Sequence, residues 1–236
     1  MTLDFRLAAL STDTHRSRQA TIGGRVYEAV RNAIVQLQFS PGNLLSEADI
    51  AGQLGVSRQP VREAFIKLGE VGLVEIRPQR GTFVRLISIR EVENARFIRE
   101  AIEVAIVRKA AIQATEVDVT AMEVVIADQR SAARRGENTL FLRLDEVFHQ
   151  AIAASADCED AWRVLDGLKA QMDRVRYLSL PEATPSEVII RQHAKILHSI
   201  KRRMPDEAEA AMRQHLTEIL ISLPKLAKEH SSYFTE

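Results

Sequence analysis

Residues 45–84 read LSEADIAGQLGVSRQPVREAFIKLGEVGLVEIRPQRGTFV, and their punctuation decides the fold. Ser46 opens Ser-Glu-Ala-Asp, where a hydroxyl can cap free amides and acids complement the helix dipole, so a short helix is expected from Glu47 to about Leu54. Gly55-Val56 breaks it. Ser57 stands where the cap of a further helix is needed, running from about Arg58 to Val71 with Pro60 tolerated in its first turn, and Gly72 stops that helix. Leu73–Ile76 and Thr82–Arg85 are strand-like runs joined by Arg77-Pro78-Gln79-Arg80-Gly81, a β-hairpin with a basic tip. Upstream, Ile22, Val26, Ala29, Val30, Ala33, Ile34 and Leu37 recur at three- and four-residue intervals, the pattern of an amphipathic helix ended by Ser40-Pro41-Gly42. Three helices and a hairpin make a winged helix-turn-helix, placed at 21–86.

Working outward, residues 1–20 carry Asp4 and Arg6 where a secretory signal needs an apolar stretch, and they read as a flexible arm. Beyond Ser88, where Ser-x-x-Glu91 has the form of a capping box, strand signals nearly vanish and glycine is scarce. Helices are expected at 89–114, 117–135, 139–155, 158–180, 185–203 and 206–229, with breaks at Gly136, Pro181, Pro185 and Pro205. The fold class is therefore mainly α: an N-terminal winged helix-turn-helix and, over 87–230, a C-terminal antiparallel all-α bundle.

With 46% hydrophobic residues, the 236-residue chain can build two cores, which excludes general disorder. Net charge is zero overall but +3 for residues 1–86 and −3 for residues 87–236, a weak pointer to nucleic acid at the N-terminal part. Cys158 is the only cysteine, which excludes an intramolecular disulfide and a cysteine-rich zinc finger; it reads as a lone buried thiol in a reducing cytosol. No window approaches the roughly 18 apolar residues of a membrane-spanning helix. A cytoplasmic protein with no membrane partner is expected.

In a helix-turn-helix the second helix enters the major groove N-terminus first, which singles out Ser57, Arg58, Gln59 and Arg62. Arg58 and Arg62 lie four apart on one helical face, and arginine suits bidentate contact with guanine. Arg77, Arg80 and Gly81 sit at the hairpin tip, where a wing meets phosphate or minor groove. Residues 45–84 closely resemble the winged-helix signature of the GntR family of bacterial regulators, including the Ser57-Arg58-x-Pro60-Val61-Arg62-Glu63-Ala64 core, Gly72-Leu73-Val74 and Gly81-Thr82-Phe83-Val84. The resemblance implies that Ser57, Arg58, Gln59 and Arg62 contact a double-stranded operator. One departure is Ala48, where some members place an arginine.

Three of the six histidines, His149, His193 and His215, fall on different expected helices, and Asp145 precedes His149 by four residues, so that carboxylate and imidazole share a helix face. Spacing alone leaves open whether they meet at one ion or are separate core and surface residues. LDEVFHQAIAASA, RQHAKILHSI and AMRQHL resemble the three ligand-bearing segments of the FadR-type C-terminal domain, the FCD domain. That resemblance implies a divalent ion held by Asp145, His149, His193 and His215. Their donor types suit zinc, nickel, manganese or cobalt. His198, five residues past His193, points about 140° away. Three neutral imidazoles and one carboxylate leave a net charge of about +1, which suits a small carboxylate effector. Arg99 matches an FCD arginine that points into the same cavity, though an intrahelical pairing with Glu103 at i+4 is the competing role.

The expectation is a homodimeric, ligand-responsive transcriptional regulator with no catalytic residues: a repressor released from a palindromic operator by a small organic carboxylate bound near the metal. Two alternatives stand beside it. A metalloenzyme could use the same ligands, although no His-Glu-x-x-His motif is present. An architectural DNA-binding protein could use the bundle only to dimerise.

Overall fold

The computed structural model describes residues 21–236, so the arm placed at 1–20 lies outside the described residues. The chain divides into two compact units, one reaching Ser88 and taking up Ser232–Thr235, the other spanning Ile89–Ser231.

The first unit opens with α1 (Ile22–Val35), whose N-terminus is capped by Thr21, its hydroxyl accepting from the Gly24 amide at 3.1 Å. There follow β1 (Leu44–Leu45), α2 (Glu47–Leu54), α3 (Arg58–Glu70), β2 (Val74–Arg77), β3 (Gly81–Val84) and β4 (Ile87–Ser88). Ser46 caps α2 as expected, accepting from the Asp49 amide at 3.2 Å. Ser57 holds the N-cap position of α3 but makes no capping bond through its side chain. The turn between these helices needs Gly55, whose φ of 64° lies in the left-handed region. Val26, Val30 and Ile34 of α1 are fully buried, as are Val61, Phe65 and Leu68 of α3; the two helices pack together, and α3 also packs against β2.

The hairpin forms in the expected register, Ile76 opposite Thr82, with each strand placed one residue nearer the tip, so that β2 and β3 pair from Val74 with Val84 to Arg77 with Gly81. β1, which no periodicity announced, adds antiparallel to β3 and completes a sheet of order β1-β3-β2. Gly81 is fixed by this arrangement, because its φ is 106° and a Cβ there would stand 2.6 Å from the Leu44 side chain.

The second unit contains α4 (Ile89–Gln113), α5 (Glu116–Arg134), α6 (Asn138–Ala154), α7 (Glu159–Leu168), α8 (Ala170–Glu182), α9 (Ser186–Lys201) and α10 (Pro205–Glu229). Its core runs through Val107, Met122, Phe141, Phe148, Ile196 and Met212. Four expected helices match within about two residues, and α10 starts at Pro205, one residue before its expected start. The helix expected at 158–180 is two. It breaks at Lys169, whose nearly buried ammonium reaches Glu146 at 2.9 Å and Asp173 at 2.8 Å. A buried cation must be paired, and at the turn Lys169 meets carboxylates from three helices, Asp166 of α7 lying at 3.2 Å.

Ser88 belongs to β4 and immediately precedes α4; a capping box is formed at α5, where Thr115 and Asp118 exchange side-chain and backbone bonds. After α10 the chain passes through a 3₁₀ turn (Ser231–Tyr233) into β5 (Phe234–Thr235), which pairs parallel with β4. The division expected at 86/87 and 230 therefore misses a return: residues 232–235 belong with the winged helix, because β4 takes its strand partner from them. Among the described residues no helix is long and apolar enough to cross a membrane.

Candidate metal centre and nucleic-acid interface

In the second unit α6, α9 and α10 bring Asp145, His149, His193 and His215 together, with one donor atom from each lying within 4.8 Å of all the others. The helical repeat accounts for Asp145 and His149. Phe148, one residue before His149, stacks on the His193 ring at 4.3 Å, and Trp162 stacks on His149 at 5.9 Å, so the imidazoles are wedged by aromatic packing.

Each histidine turns its Nδ1 toward an outer oxygen, in a hydrogen bond for His193 and His215 and in a close contact outside hydrogen-bond geometry for His149. His193 Nδ1 lies 2.9 Å from Gln129 Oε1, His215 Nδ1 3.0 Å from Gln192 Oε1, and His149 Nδ1 2.5 Å from Glu103 Oε2. The Gln192 amide is oriented by donating Nε2 to Glu218 at 2.8 Å, which leaves its oxygen for His215. An oxygen acceptor at Nδ1 places the ring proton there and leaves a lone pair on Nε2. All three Nε2 atoms face the same spot. His149 Nε2 and His215 Nε2 stand 3.1 Å apart, and buried His193 Nε2 has no hydrogen-bond partner and lies 3.5 Å from Asp145 Oδ1.

Two lone pairs at that distance repel unless an electropositive centre is shared between them. The donor set thus fits a divalent cation.

The electrostatics agree. Burial lowers His193 to about 3 and pushes His215 well below the ordinary range, so both are neutral, the form that ligates. Burial would raise the Asp145 carboxyl, but the Arg176 guanidinium bonded to it holds it well below the usual range. Glu103, also buried, is lowered to about 2: burial opposes its charge, while Arg99 and His149 favour it more strongly.

A cavity beside the cluster is lined by Arg99, Asp145, Met172, Arg176, Thr184 and His215, among others. Arg99 combines the two roles weighed from sequence, since it lines the cavity and bonds Glu103 one turn along α4. Arg176 brings a second cation to the same wall. His198 is exposed and outside the cluster. Cys158 is half-buried, not buried as expected, with Lys109 Nζ at 3.8 Å from its sulfur, because it sits at the N-cap of α7.

In the first unit, Ser57, Arg58, Gln59 and Arg62 are all exposed on the first turns of α3, and Arg77, Arg80 and Gly81 are exposed at the hairpin tip. Gln59 donates to Glu63 at 3.0 Å, while Arg77 bonds Glu75 at 2.8 Å and lies over the Phe83 ring at 4.8 Å. Arg58 and Arg62 both bond Glu47 of α2.

Sequence reasoning missed Glu47, Gln129, Gln192 and Arg176, and took Glu103 only as a partner for Arg99. The i+4 spacing from Arg99 was the one available signal for Glu103. The others meet their partners across helices.

Comparison with known proteins decides the family. Residues 22–84 match the model of the bacterial regulatory proteins, gntR family, and residues 95–218 match the FCD domain, more than half of the chain. The chain belongs to the GntR family. It is 42% identical over 227 residues to the "HTH-type transcriptional repressor RspR" of Escherichia coli strain K12, covering 96% of this chain and 100% of that one. It is 25% identical over 211 residues to the "Probable D-xylose utilization operon transcriptional repressor" of Paenarthrobacter nicotinovorans, covering 89% of this chain and 92% of that one. The solved structure of E. coli McbR/YncC superposes with a TM-score of 0.76 at 18% identity over 89% of this chain and 99% of that one, which supports the fold. This GntR regulator therefore has a DNA-binding winged helix and a ligand-binding FCD domain, and is a transcriptional regulator rather than an enzyme.

Proposed function

We propose that this regulator is a cytoplasmic homodimer that represses transcription from a palindromic operator and is released by a small organic carboxylate. Ser57, Arg58, Gln59 and Arg62 read the major groove, and Arg77, Arg80 and Gly81 carry the wing onto the backbone or minor groove. Repression is supported by the relatives named as repressors. Asp145, His149, His193 and His215 hold a divalent zinc, nickel, manganese or cobalt ion, which when bound supplies a Lewis-acidic position for an anionic oxygen. Arg99, and with it Arg176, gives the carboxylate cationic partners on the cavity wall.

The observation that carries this reading is the convergence of three Nε2 lone pairs and one ionised carboxylate on one buried point. A cation there leaves about +1, balanced by an anionic ligand. Two domains on one chain suit regulation, in which a ligand that binds the free and DNA-bound dimers unequally must shift one against the other. The test is metal analysis of purified protein, followed by titration of hydroxy acids, sugar acids and dicarboxylates with and without operator. About one ion per chain, and a carboxylate whose binding is weakened by operator, are expected. Protein that neither carries nor takes up an ion, or a ligand indifferent to DNA, overturns it.

A further inference from the structure

Glu47, the first residue of α2, is set between the two arginines of the reading helix. Its Oε1 accepts from Arg62 Nε at 3.0 Å, and its Oε2 accepts from Arg62 Nη2 and Arg58 Nη2, both at 3.2 Å. The Glu47 side chain is 20% exposed, against 66% for Arg58 and 59% for Arg62, so the carboxylate is the recessed member of the trio.

We infer that Glu47 is a positioning residue for operator recognition, holding Arg58 and Arg62 as one oriented pair; this rests on the DNA reading proposed above. A guanidinium carries five N–H donors in a rigid plane. The grip on Arg62 uses its Nε–Nη2 side, leaving Nη1 and the second hydrogen of Nη2, the two parallel donors that match guanine O6 and N7. Arg58 is held through Nη2 alone, with Nε and Nη1 left over. Long side chains lose rotamer freedom when they bind, and an arginine already oriented in the folded protein loses less of it on DNA.

The carboxylate has a second effect. On unrelated DNA an arginine acts as a point charge toward phosphate, and Glu47 offsets one of the two positive charges. It thereby weakens non-specific binding while preserving a directed contact to the right base. Specificity is the difference between the two affinities, and Glu47 acts on both sides of it.

The test uses the full-length protein and a duplex selected by the wild type from a random library, with an unrelated duplex for comparison. Affinities are read by fluorescence anisotropy across a salt series. Glu47→Gln should bind the selected duplex about tenfold more weakly and the unrelated duplex a few-fold more tightly, with a steeper salt dependence. Glu47→Asp keeps the charge but is too short to bridge both arginines; it should weaken selected binding and leave unrelated binding unchanged. Asp49→Asn removes an exposed acid from the same turn of α2 and should leave the ratio of the two affinities as in wild type. Melting temperatures identify any variant that is merely misfolded. If Glu47→Gln and Glu47→Asp keep the wild-type ratio while Arg58→Ala loses it, the DNA reading stands and Glu47 is a surface ion pair only. If the wild type selects no duplex, the DNA reading fails and this inference with it.

Discussion

The proposed reading helix and the proposed metal cluster are built on opposite terms. Ser57, Arg58, Gln59 and Arg62 lie within one stretch of six residues, exposed, on a helix held by its apolar face; Asp145, His149, His193 and His215 come from three helices, the first three almost wholly withdrawn from water and His215 half-buried. Exposed side chains on a finished scaffold can be changed with little effect on folding, because they bury little and pair in high dielectric. Buried polar groups are interdependent, since each lost partner leaves another without one. Changes at the first region should therefore alter DNA affinity alone, and changes at the second should alter metal content and stability together.

The largest effect should come from His193→Ala. Metal content is expected to fall from about one per chain to near zero, with about 4 kcal/mol of stabilisation lost if the wild type is assayed at a metal concentration about a thousandfold above its dissociation constant. His198→Ala, on the same helix but exposed, should change neither. A loss of metal in both variants would erase the contrast between buried and exposed positions. One layer out, Gln129→Ala or Gln192→Ala removes the acceptor that fixes a ligand's proton, and metal affinity measured by chelator competition should drop about 10- to 100-fold.

On the reading helix, Arg58→Ala should weaken specific operator binding by about 1–3 kcal/mol while the melting temperature stays at the wild-type value. A lowered melting temperature would show that this surface is not independent of the fold.

Acid should separate the regions again. His193 titrates near 3 when folded and near 6.5 in its ordinary state, so below pH 6.5 the unfolded chain takes up the proton first and stability is lost as pH falls toward 3. For chelator-treated protein, going from pH 7 to 5.5 should cost about 1 kcal/mol from this group, read by denaturant unfolding. A flat profile would mean that His193 is not held neutral. The smallest effect should be that of Arg80→Ala at the wing, a loss of a few-fold on specific and unrelated DNA alike, with the salt slope reduced by about one.

The same contrast explains what could be read from the sequence. The winged helix is announced by neighbours in the chain: Ser46, Gly55, Pro60, Gly72 and Gly81 each mark the start, first turn or end of an element through local backbone chemistry. Asp145 and His149 are equally local. His193 and His215 gain meaning only beside them, which periodicity does not reveal and family resemblance supplied. Gln129, Gln192 and Arg176 are chosen by distances between helices packed together, and nothing in their own neighbourhoods marks them. The break at Lys169 escaped notice because its cause, Glu146, lies on another helix. β1, β4 and β5 are two residues long, too short for an alternating pattern to form.

The pairing of β4 with β5 has a consequence for the order of events on the ribosome. The three helices and hairpin of the winged helix can fold once their own residues have emerged, since their contacts are local and domains made first tend to fold first. β4 must wait for its partner until α10 has been made, and Tyr233 reaches Ser40, at 3.3 Å, across 193 positions of sequence. A nascent chain thus exposes a formed winged helix before the bundle helices exist, and a strand made after those helices then closes onto the unit that formed first.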